Sequence, residues 1–405
     1  MQRTNDIFRA LKYRNFRLFF PGLAATQVGI WVQNVAISWL VYDLTQSPLM
    51  MGTVMFFNAI PLLLVTPFAG IIVDKLNRHK LLMAVQILFA VQALLFTLVT
   101  AAGAAEVWSI IALGILLNTI VAIDTPLRQS TFVYLVDDKR DLSNAISLNS
   151  SCFNLARLVG PAIGGLLLAH TPIYTCFLVN FLCLVPSIVL VGMMRITEVK
   201  SEAVQRESFM QSMQVGLAYS WGTPQIRYLL AYMGVFCFFI MVYPMLAPIY
   251  TAEVLHADAD MLGYLLAATG VGSLLSSILT AALSSTTHVR KILLGGVLLS
   301  CVSMAGLGLT QSPAAALGLM FLLGFGSTTF LTPETMLIQA VIDDDKRGRV
   351  MALNGLCYLA PTSFASLFAG SAAHALSLPG TLYLLSAPML ALALFISFRL
   401  SQLHF

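Results

Sequence analysis

Charged residues are scarce in this sequence. Asp, Glu, Lys and Arg make up 10% of its 405 residues, compared with about 25% in soluble globular domains. Hydrophobic residues make up 58%, and many form unbroken runs of the roughly 20 apolar residues that a helix needs to cross a bilayer. The short alternating segments of a membrane β-barrel are missing. The composition therefore excludes a soluble globule and predicts an all-α integral membrane protein with the lipid bilayer as a partner.

The sequence also lacks the usual marks of catalysis and cofactor binding. It contains no Walker loop, no nucleophile elbow and no HExxH motif, which disfavours ATP-driven transport and intramembrane catalysis. Its six cysteines fall inside predicted spans and its six histidines lie at span ends or in loops. This distribution indicates neither a disulfide framework nor a metal cluster. We expect no enzyme activity and no cofactor.

Twelve apolar runs are separated by short polar segments. We place the spans at about 17–42, 49–73, 81–103, 107–127, 145–169, 173–194, 227–250, 261–283, 291–311, 314–333, 351–374 and 380–400. Of the 22 lysines and arginines, 21 lie in the N-terminal segment, in every second loop or near the C-terminus. Because positive charge resists translocation, we predict cytoplasmic termini in a bacterial inner membrane. Cations scattered in this way argue against a nucleic-acid partner.

The sequence divides into two similar halves. We predict an N-terminal six-helix bundle over 1–195, a cytoplasmic linker with an amphipathic helix over 196–225, and a C-terminal six-helix bundle over 226–405. Leu135–Arg140 matches Ile342–Arg347, with the sequences LVDDKR and IDDDKR. Duplication of an even number of spans gives two pseudo-symmetric halves of the same orientation, with the substrate path between them.

The turn between the second and third spans concentrates charge within eleven residues, GIIVDKLNRHK. We predict that Gly70 allows close helix packing and that Asn77 tolerates a left-handed turn. Asp74 can pair with a neighbouring cation and latch two bundles in one state. A solvated turn that follows the positive-inside rule is the competing interpretation. The residues predicted to form this latch are Gly70, Asp74, Lys75, Arg78 and Lys80, together with Asp124 and Arg128.

Two carboxyl groups stand near the predicted inner ends of spans four and ten. Asp124 and Arg128 are one helical turn apart and can pair near the inner interface. Glu334, which follows Pro333, is a similar inner-end carboxyl group. A purely structural role is the alternative for both acids.

Span five contains Gly160-Pro161-x-x-Gly164-Gly165. Pro161 removes one helix hydrogen bond, and the glycines allow backbones to approach closely. We predict a bend at the interface of the halves. Glycine and proline are common in membrane helices, so the motif alone is weak support.

Arg157 is the one Lys or Arg in the middle of a predicted span. A charge there is costly and normally faces a cavity or a partner. We predict contact with substrate or an anion, and the alternative is a structural bond to Asn118 or Asn154. In span one, polar and aromatic residues at helical spacing form one face, as a cavity wall would. The predicted substrate cavity contains Gln27, Trp31, Asn34, Asn118, Arg157, Glu334 and Tyr358, and Ser38 continues the face of span one.

The turn motif resembles the signature loop of the major facilitator superfamily. The match is Gly70-x-x-x-Asp74-Lys75-x-Asn77-Arg78-x-Lys80, although the family pattern prefers Gly in place of Asn77. The resemblance implies a major facilitator fold of twelve transmembrane helices. It also implies that Asp74 and Arg78 stabilise an outward-facing state.

Two further resemblances suggest the direction of transport. The glycine and proline motif of span five is similar to the antiporter motif of the superfamily. Asp124–Gln129 and the N-terminal Leu11–Arg17 resemble the branch that contains macrolide efflux pumps and the enterobactin exporter. In that family an acid at the position of Asp124 joins the network of the signature loop. Together the motifs favour export over import.

We therefore predict a monomeric secondary transporter that exports an amphipathic small molecule, such as a siderophore or a drug, by alternating access. Span one has Gln27 and Asn34 where a protonatable acid is expected, so coupling to protons would use Asp124, Glu334 or an acid near a span end. An importer or a lipid flippase is the alternative on the same scaffold. A non-transporting receptor or assembly partner is the alternative from another class, although no soluble domain supports it.

Overall fold

The computed structural model describes residues 8–195, 209–282, 289–343 and 346–401. These ranges are largely helical and contain no β-strand. The α-helices are α1 (Arg14–Thr45), α2 (Pro48–Lys75), α3 (Arg78–Ala101), α4 (Val107–Leu135), α5 (Leu142–His170), α6 (Tyr174–Gly192), α7 (Phe209–Gly222), α8 (Pro224–Phe239), α9 (Tyr243–Ile249), α10 (Ala259–Ala282), α11 (Val289–Leu307), α12 (Pro313–Val341), α13 (Arg347–Ala375) and α14 (Leu378–Ser401). Two 3-10 helices, Arg9–Lys12 and Lys139–Asp141, precede α1 and α5, and a π-helical turn, Tyr250–Val254, follows α9.

Ten helical segments of the described ranges are long and apolar enough to cross a membrane. One of them, Pro224–Val254, combines α8, α9 and the π-helical turn. Helix α1 has 32 residues, and α11 contributes the shorter apolar stretch Lys291–Leu307. With these two helices the segments match the twelve predicted spans. The prediction of an all-α membrane protein is confirmed.

The chain divides into two compact units. The first consists of Met1–Leu44 and Phe57–Val204, and the second of Thr45–Phe56 and Gln205–Phe405. The first turns of α2 therefore group with the second unit, while the rest of α2 belongs to the first. The domain boundaries predicted at residues 195 and 226 stay a prediction.

The surface helix predicted in the linker is present as α7. The hydroxyl group of Tyr219 donates to Asp343 Oδ2 at 3.1 Å and accepts the N–H of Asp343 at 3.2 Å. Leu217 and Trp221 are 54% and 68% exposed, which is typical of an amphipathic helix at a membrane surface. Residues 196–208 of the predicted linker lie outside the described ranges.

Helices α4 and α12 extend beyond the ends that hydropathy predicts. α4 continues through Pro126 to Leu135, and α12 continues through Pro333 to Val341. Asp124 and Glu334 precede the ends of these helices by about three and two turns, and their predicted position near the inner membrane interface stays a prediction. A proline removes one helix hydrogen bond, and long membrane helices tolerate this loss where neighbouring groups compensate.

The internal repeat is visible in these helix lengths. α4 and α12 have 29 residues each, as do α5 and α13. Thr125-Pro126 recurs as Thr332-Pro333, with the same offset of 207 residues that relates Leu135 to Ile342. Cys152-Phe153 of α5 recurs as Cys357-Tyr358 of α13. Corresponding sites of the two units can therefore be compared residue by residue.

The seventh span is not the continuous helix predicted over 227–250. α8 ends at Phe239 and α9 begins at Tyr243. Because Pro244 has no N–H, the carbonyl group of Ile240 cannot form its helical bond, and it accepts the N–H of Tyr243 at 3.2 Å instead. Interrupted backbone at membrane depth is tolerated where it is buried in protein or lines a cavity. Ile240 is 0% exposed, so the break is buried within the second unit.

Buried polar side chains join three helices of the first unit. Gln33 Nε2 of α1 donates to Gln92 Oε1 of α3 at 3.2 Å, and Asn180 Nδ2 of α6 donates to Gln33 Oε1 at 2.8 Å. A second layer is formed by Thr26, Gln86 and Ser187. Hydrogen bonds of this kind contribute about 0.6–2 kcal/mol each between membrane helices. They fix the register of α1, α3 and α6.

Candidate functional site

The turn between α2 and α3 differs from its predicted conformation at two residues. A Cβ added at Gly70 would have no neighbour within 4 Å, so the prediction of close packing there is wrong. Asn77 has φ −64° and ψ 120°, so the left-handed turn is wrong as well. Asn77 instead caps α3, because its Oδ1 accepts the N–H of Lys80 at 2.9 Å. Glycine has no side chain to supply this bond.

The basic residues of this turn contact other helices of the first unit. The guanidinium group of Arg78 lies 5.0 Å from the ring centroid of Tyr134 in α4. His79 Nε2 lies 2.8 Å from the carbonyl oxygen of Val191 in α6. The side chain of Asp74 lies outside the described part of the structure, so its ion pair and the latch stay predictions. The remaining cations of the turn, Lys75 and Lys80, are exposed.

Asp124 and Arg128 form the ion pair that their spacing predicts. Arg128 Nη2 lies 2.6 Å from Asp124 Oδ2, and the two side chains are 16% and 1% exposed. Arg128 Nη1 also donates to Gln27 Oε1 of α1 at 3.2 Å. The pair is largely removed from water and connects α4 to α1. Gln27 is thus held by Arg128.

The glycine and proline motif of α5 packs against α1 of the same unit. A Cβ at Gly160 would collide with the Cβ of Trp31, and a Cβ at Gly164 would lie 3.3 Å from the carbonyl oxygen of Val32. The sequence interpretation, which placed this motif between the halves, did not anticipate these contacts. The other residues of the motif, Pro161 and Gly165, are buried.

The residues of the polar face predicted for α1 differ in their exposure. Asn34 is exposed and Trp31 is partly exposed. Ser38 is 6% exposed, and its hydroxyl group donates to the carbonyl oxygen of Val35 at 2.9 Å. Since Gln27 is 6% exposed as well, the accessible part of the face is the segment around Trp31 and Asn34.

Arg157 is partly exposed in the middle of α5. Phe153, one helical turn earlier, is 44% exposed, and its ring centroid lies 6.0 Å from that of Trp31 in an edge-to-face arrangement. Sequence reasoning missed Phe153, although its spacing of four residues from Arg157 could have identified it. Asn118, predicted as a cavity residue, donates from Nδ2 to the carbonyl oxygen of Gly114 in its own helix at 3.0 Å.

The second unit contains a fully buried carboxyl group. Glu334 is 0% exposed, so it is enclosed in this conformation, contrary to its predicted position in the cavity wall. Its Oε2 is 3.4 Å from Asn354 Nδ2 and 3.3 Å from Thr335 Oγ1, both of which donate to it. Glu334 Oε1 and Asn354 Oδ1 have no hydrogen-bond partner in the described part of the structure. Tyr358, one turn after Asn354, is 38% exposed.

The two buried acids have different neighbours. The offset of 207 residues places Thr335 at the position of Arg128 and Leu331 at the position of Asp124, so Asp124 and Glu334 are not equivalent in the repeat. Asp124 has a cation one turn away on its own helix, whereas Glu334 has the hydroxyl group of the adjacent Thr335 as a neighbour. No salt bridge to Glu334 is present among the described residues. The first unit thus holds its acid as an ion pair, and the second holds its acid through neutral donors.

The segment before α1 is fastened to the start of α5. Lys12 Nζ lies 2.6 Å from Asp141 Oδ2, and the hydroxyl group of Tyr13 donates to the same oxygen at 2.8 Å. The N–H of Ala10 donates to Asn144 Oδ1 at 3.0 Å. The hydrogen bonds from Lys12 and Tyr13 lower the pKa of Asp141, and the bond to Asp141 raises the pKa of Lys12.

We expect the substitution Asp141→Asn to release the 3-10 helix Arg9–Lys12. Because the folded-state pKa of Asp141 is lowered, its stabilising effect is complete above the ordinary value of 3.8 and is lost as the pH falls through the lower folded value. Between pH 5 and 8 the wild-type amide of Ala10 should keep its protection, while the variant should exchange about tenfold faster or more. Hydrogen exchange read by mass spectrometry measures this.

The control for this prediction is Asp138→Asn. Asp138 forms an exposed ion pair with Arg140, two residues away, which lowers the pKa of Asp138 to about 2. Asp138 acts on Lys12 through charge at a distance, and its hydrogen bonds go to Arg140, so exchange in residues 9–12 should stay close to the wild-type rate. If the amide of Ala10 exchanged equally fast in the Asp141→Asn variant and in the wild type, Asp141 would not hold the 3-10 helix Arg9–Lys12 in place.

Comparison with known proteins adds the family context. A family model described as transmembrane secretion effector matches residues 7–404. The chain is 25% identical over 386 residues to the multidrug efflux pump Tap of Mycolicibacterium fortuitum, with 93% of each protein covered. It is 32% identical over 170 residues to the staphyloferrin A transporter of Staphylococcus aureus, a match that spans 41% of this chain and 42% of that protein.

The fold also resembles solved transporter structures. A bacterial homologue of the human lysosomal transporter Spinster has a TM-score of 0.76 and 12% sequence identity, and the superposition covers 96% of each chain. At this level of identity the likeness shows the fold alone.

Proposed function

Because the chain belongs to the transmembrane secretion effector family of the major facilitator superfamily, we propose that it exports an amphipathic organic solute by alternating access, in exchange for protons. The family match covers residues 7–404, so the chain is a multi-pass membrane transporter and not an enzyme. One similar protein is a multidrug efflux pump and another transports staphyloferrin A. Both support a small organic molecule as the substrate.

We assign the basic loops and both termini to the cytoplasm of a bacterial cell. This orientation is supported by 21 of the 22 lysines and arginines, which lie in alternate loops and at the termini. Export then means movement away from the side on which the 3-10 helix Arg9–Lys12 and α7 lie.

The proposal of proton exchange is supported by the burial and the hydrogen bonds of Glu334. Its side chain is 0% exposed, its hydrogen-bond donors are the neutral groups of Asn354 and Thr335, and Oε1 has no described partner. A buried carboxylate without a cation costs several kcal/mol, whereas a protonated carboxyl group carries no charge. We therefore assign Glu334 as the group that carries a proton while it is enclosed.

The ion pair of the first unit does not suit this role. Asp124 Oδ2 is 2.6 Å from Arg128 Nη2, and a carboxylate that already has a buried cation gains little from taking up a proton. Proton exchange at Glu334 requires a second conformation in which its side chain meets water. Such a conformation is inherent in alternating access.

We expect Glu334→Gln to abolish transport driven by a pH gradient. Glutamine keeps the size and neutral charge of a protonated carboxyl group but cannot release a proton, so exchange of substrate for substrate should continue. The assay uses proteoliposomes with an imposed pH gradient and two fluorescent probes, the neutral N-phenyl-1-naphthylamine and the anionic 1-anilinonaphthalene-8-sulfonate. Gradient-driven accumulation should fall to the passive leak, while counterflow should stay near the wild-type rate.

The matched control is Asp258→Asn, which neutralises an exposed acid that lies outside the spanning helices. It should leave both assays unchanged. Glu334→Asp, which keeps a titratable group, should retain part of the gradient-driven transport. Accumulation by Glu334→Gln at the wild-type rate would exclude Glu334 as the proton carrier.

A further inference from the structure

We propose that the junction of α7 and α8 binds an anionic phospholipid, with Arg227 holding the phosphate group and one face of α7 holding an acyl chain. The site lies within the second unit, and it goes beyond the transport function because it names a partner from the membrane itself. It is supported by the exposed side chains of α7, by two cation–π contacts and by the position of Arg227 at the start of a spanning helix.

One face of α7 packs against the segment that leads into α13. The hydroxyl group of Tyr219 donates to Asp343 Oδ2 at 3.1 Å. A Cβ at Gly216 would lie 3.1 Å from the Cβ of Arg349, so the backbone of α7 comes close to the first turn of α13. These contacts fix α7 to the second unit and determine which of its side chains stay uncovered.

Another face of α7 carries an apolar stripe. The stripe contains Met213, Leu217 and Trp221, which recur every four residues and extend over about 12 Å of helix. Leu217 and Trp221 are 54% and 68% exposed, and Met213 is partly exposed. Contiguous apolar surface of this kind marks an interaction site. The spanning segment Pro224–Val254 starts two residues after α7 ends, so the stripe lies at a membrane face, where lipid is the apolar medium.

Arg227 lies at the same membrane face. It is the fourth residue of α8, about 5 Å along the helix axis from Pro224, and its side chain is partly exposed. Arginines near the ends of spanning helices extend their side chains to the membrane interface, and tryptophan is enriched at the same level. The guanidinium group of Arg227 and the exposed ring of Trp221 therefore lie at the level of the lipid headgroups.

Two aromatic rings hold the guanidinium group in place. Arg227 Cζ lies 5.6 Å from the ring centroid of Trp221 and 5.3 Å from that of Tyr228. Arg227 Nη1 donates to the carbonyl oxygen of Trp221 at 3.5 Å, and no carboxylate forms an ion pair with Arg227 among the described residues. This bond uses one of the several N–H donors of the group. Because cation–π contacts already restrain the side chain, less conformational entropy is lost when it binds an anion.

A guanidinium group beside an apolar stripe matches an amphiphile with a negative headgroup. Phosphate oxygens accept paired hydrogen bonds from the planar guanidinium group, and the stripe offers an acyl chain a contact surface on α7. A soluble phosphate would use Arg227 but not the stripe. A zwitterionic phospholipid carries a cationic group beside its phosphate, which the guanidinium group repels. A phospholipid of net negative charge uses both parts of the site.

The internal repeat supplies a matched control. Asn15-Phe16-Arg17 matches Gln225-Ile226-Arg227 at an offset of 210 residues, and Arg17 is likewise the fourth residue of its helix, α1. Arg17 is exposed, but no cation–π contact of Arg17 is present in the ranges that the structure describes. The two arginines therefore agree in charge and helix position and differ in the aromatic rings and the neighbouring stripe.

The test is native mass spectrometry of the purified full-length protein, titrated in detergent with dioleoyl-phosphatidylglycerol, dioleoyl-phosphatidylcholine or glycerol 1-phosphate. We expect Arg227→Gln to weaken the tightest binding of phosphatidylglycerol about tenfold, and Trp221→Ala to weaken it as well. Arg227→Lys should keep part of the affinity, because an ammonium group binds phosphate without the paired geometry. Arg17→Gln should stay within about twofold of the wild type. Phosphatidylcholine should bind more weakly than phosphatidylglycerol, and glycerol 1-phosphate should not compete.

The outcomes decide between this site and its alternatives. Loss of phosphatidylglycerol binding in Arg227→Gln and Trp221→Ala, with Arg17→Gln unaffected, supports the site. Equal weakening by Arg227→Gln and Arg17→Gln would show that any cation at the start of a spanning helix attracts the lipid, and this would overturn the inference. Equal wild-type affinity for the two lipids, competition by glycerol 1-phosphate, or a dimer of the protein that depends on Leu217 and Trp221 would overturn it too. None of these results depends on whether the protein transports a solute.

Discussion

Replacing Arg128 by methionine will lower the free energy of unfolding by about 3–5 kcal/mol, because it leaves a buried carboxylate without its cation. Asp124 is 1% exposed and pairs with Arg128 at 2.6 Å. Its Oδ1 has no hydrogen-bond partner in the described residues, so other contacts cannot replace the lost charge. The hydrogen bond from Arg128 to Gln27 of α1 is lost as well.

The measurement is unfolding of the purified protein by titration with SDS. The double substitution Asp124→Asn with Arg128→Met should recover much of the loss, because it removes both charges, and Asp124→Asn alone should be milder than Arg128→Met. Arg140→Met is the matched control, since Arg140 is 89% exposed in its ion pair with Asp138 and surface pairs contribute little. If Arg128→Met unfolded at the same SDS concentration as the wild type, the ion pair between Asp124 and Arg128 would not contribute to stability.

The sequence predicts this pair because residues four apart on a helix meet. It predicts the end of the helix that carries the pair less well. Hydropathy ends span four near Pro126, yet α4 continues to Leu135, since a helix that projects beyond the apolar layer no longer needs apolar residues. In the same way, hydropathy ends span ten near Pro333, whereas α12 continues to Val341. Element type and approximate count follow from apolar runs, whereas helix ends depend on caps and contacts outside the bilayer.

A single sequence also does not predict which side chains of different helices form hydrogen bonds with each other. The sequence shows that Gln33 is a polar residue within an apolar span. Its hydrogen bonds to Gln92 and Asn180 depend on which helices are neighbours in the fold. Asn77 illustrates a local failure, because asparagine suits both a left-handed turn and an N-cap, and the structure uses the cap. Motif resemblance identifies the loop, and the geometry decides what each residue does in it.

Substituting Gly296 by valine will prevent α11 and α12 from packing at their observed distance and should cost about 3 kcal/mol or more. A Cβ at Gly296 would lie 2.7 Å from the carbonyl oxygen of Gly326 and 2.8 Å from the backbone nitrogen of Phe330. The contact is reciprocal, because a Cβ at Gly326 would lie 2.8 Å from the carbonyl oxygen of Gly296. These obstacles are backbone atoms, so no side-chain rotation relieves the clash.

Gly295 supplies a control one residue away. A Cβ at Gly295 has no neighbour within 4 Å, and glycine inside a helix is unfavourable by about 1 kcal/mol relative to alanine. Gly295→Val should therefore match the wild type in thermal stability and in its elution from a gel-filtration column, whereas Gly296→Val should aggregate or melt earlier. Helix propensity affects neighbouring positions alike, so a difference between the two variants isolates the backbone contact. If both variants behaved like the wild type, the close approach of α11 and α12 would be refuted.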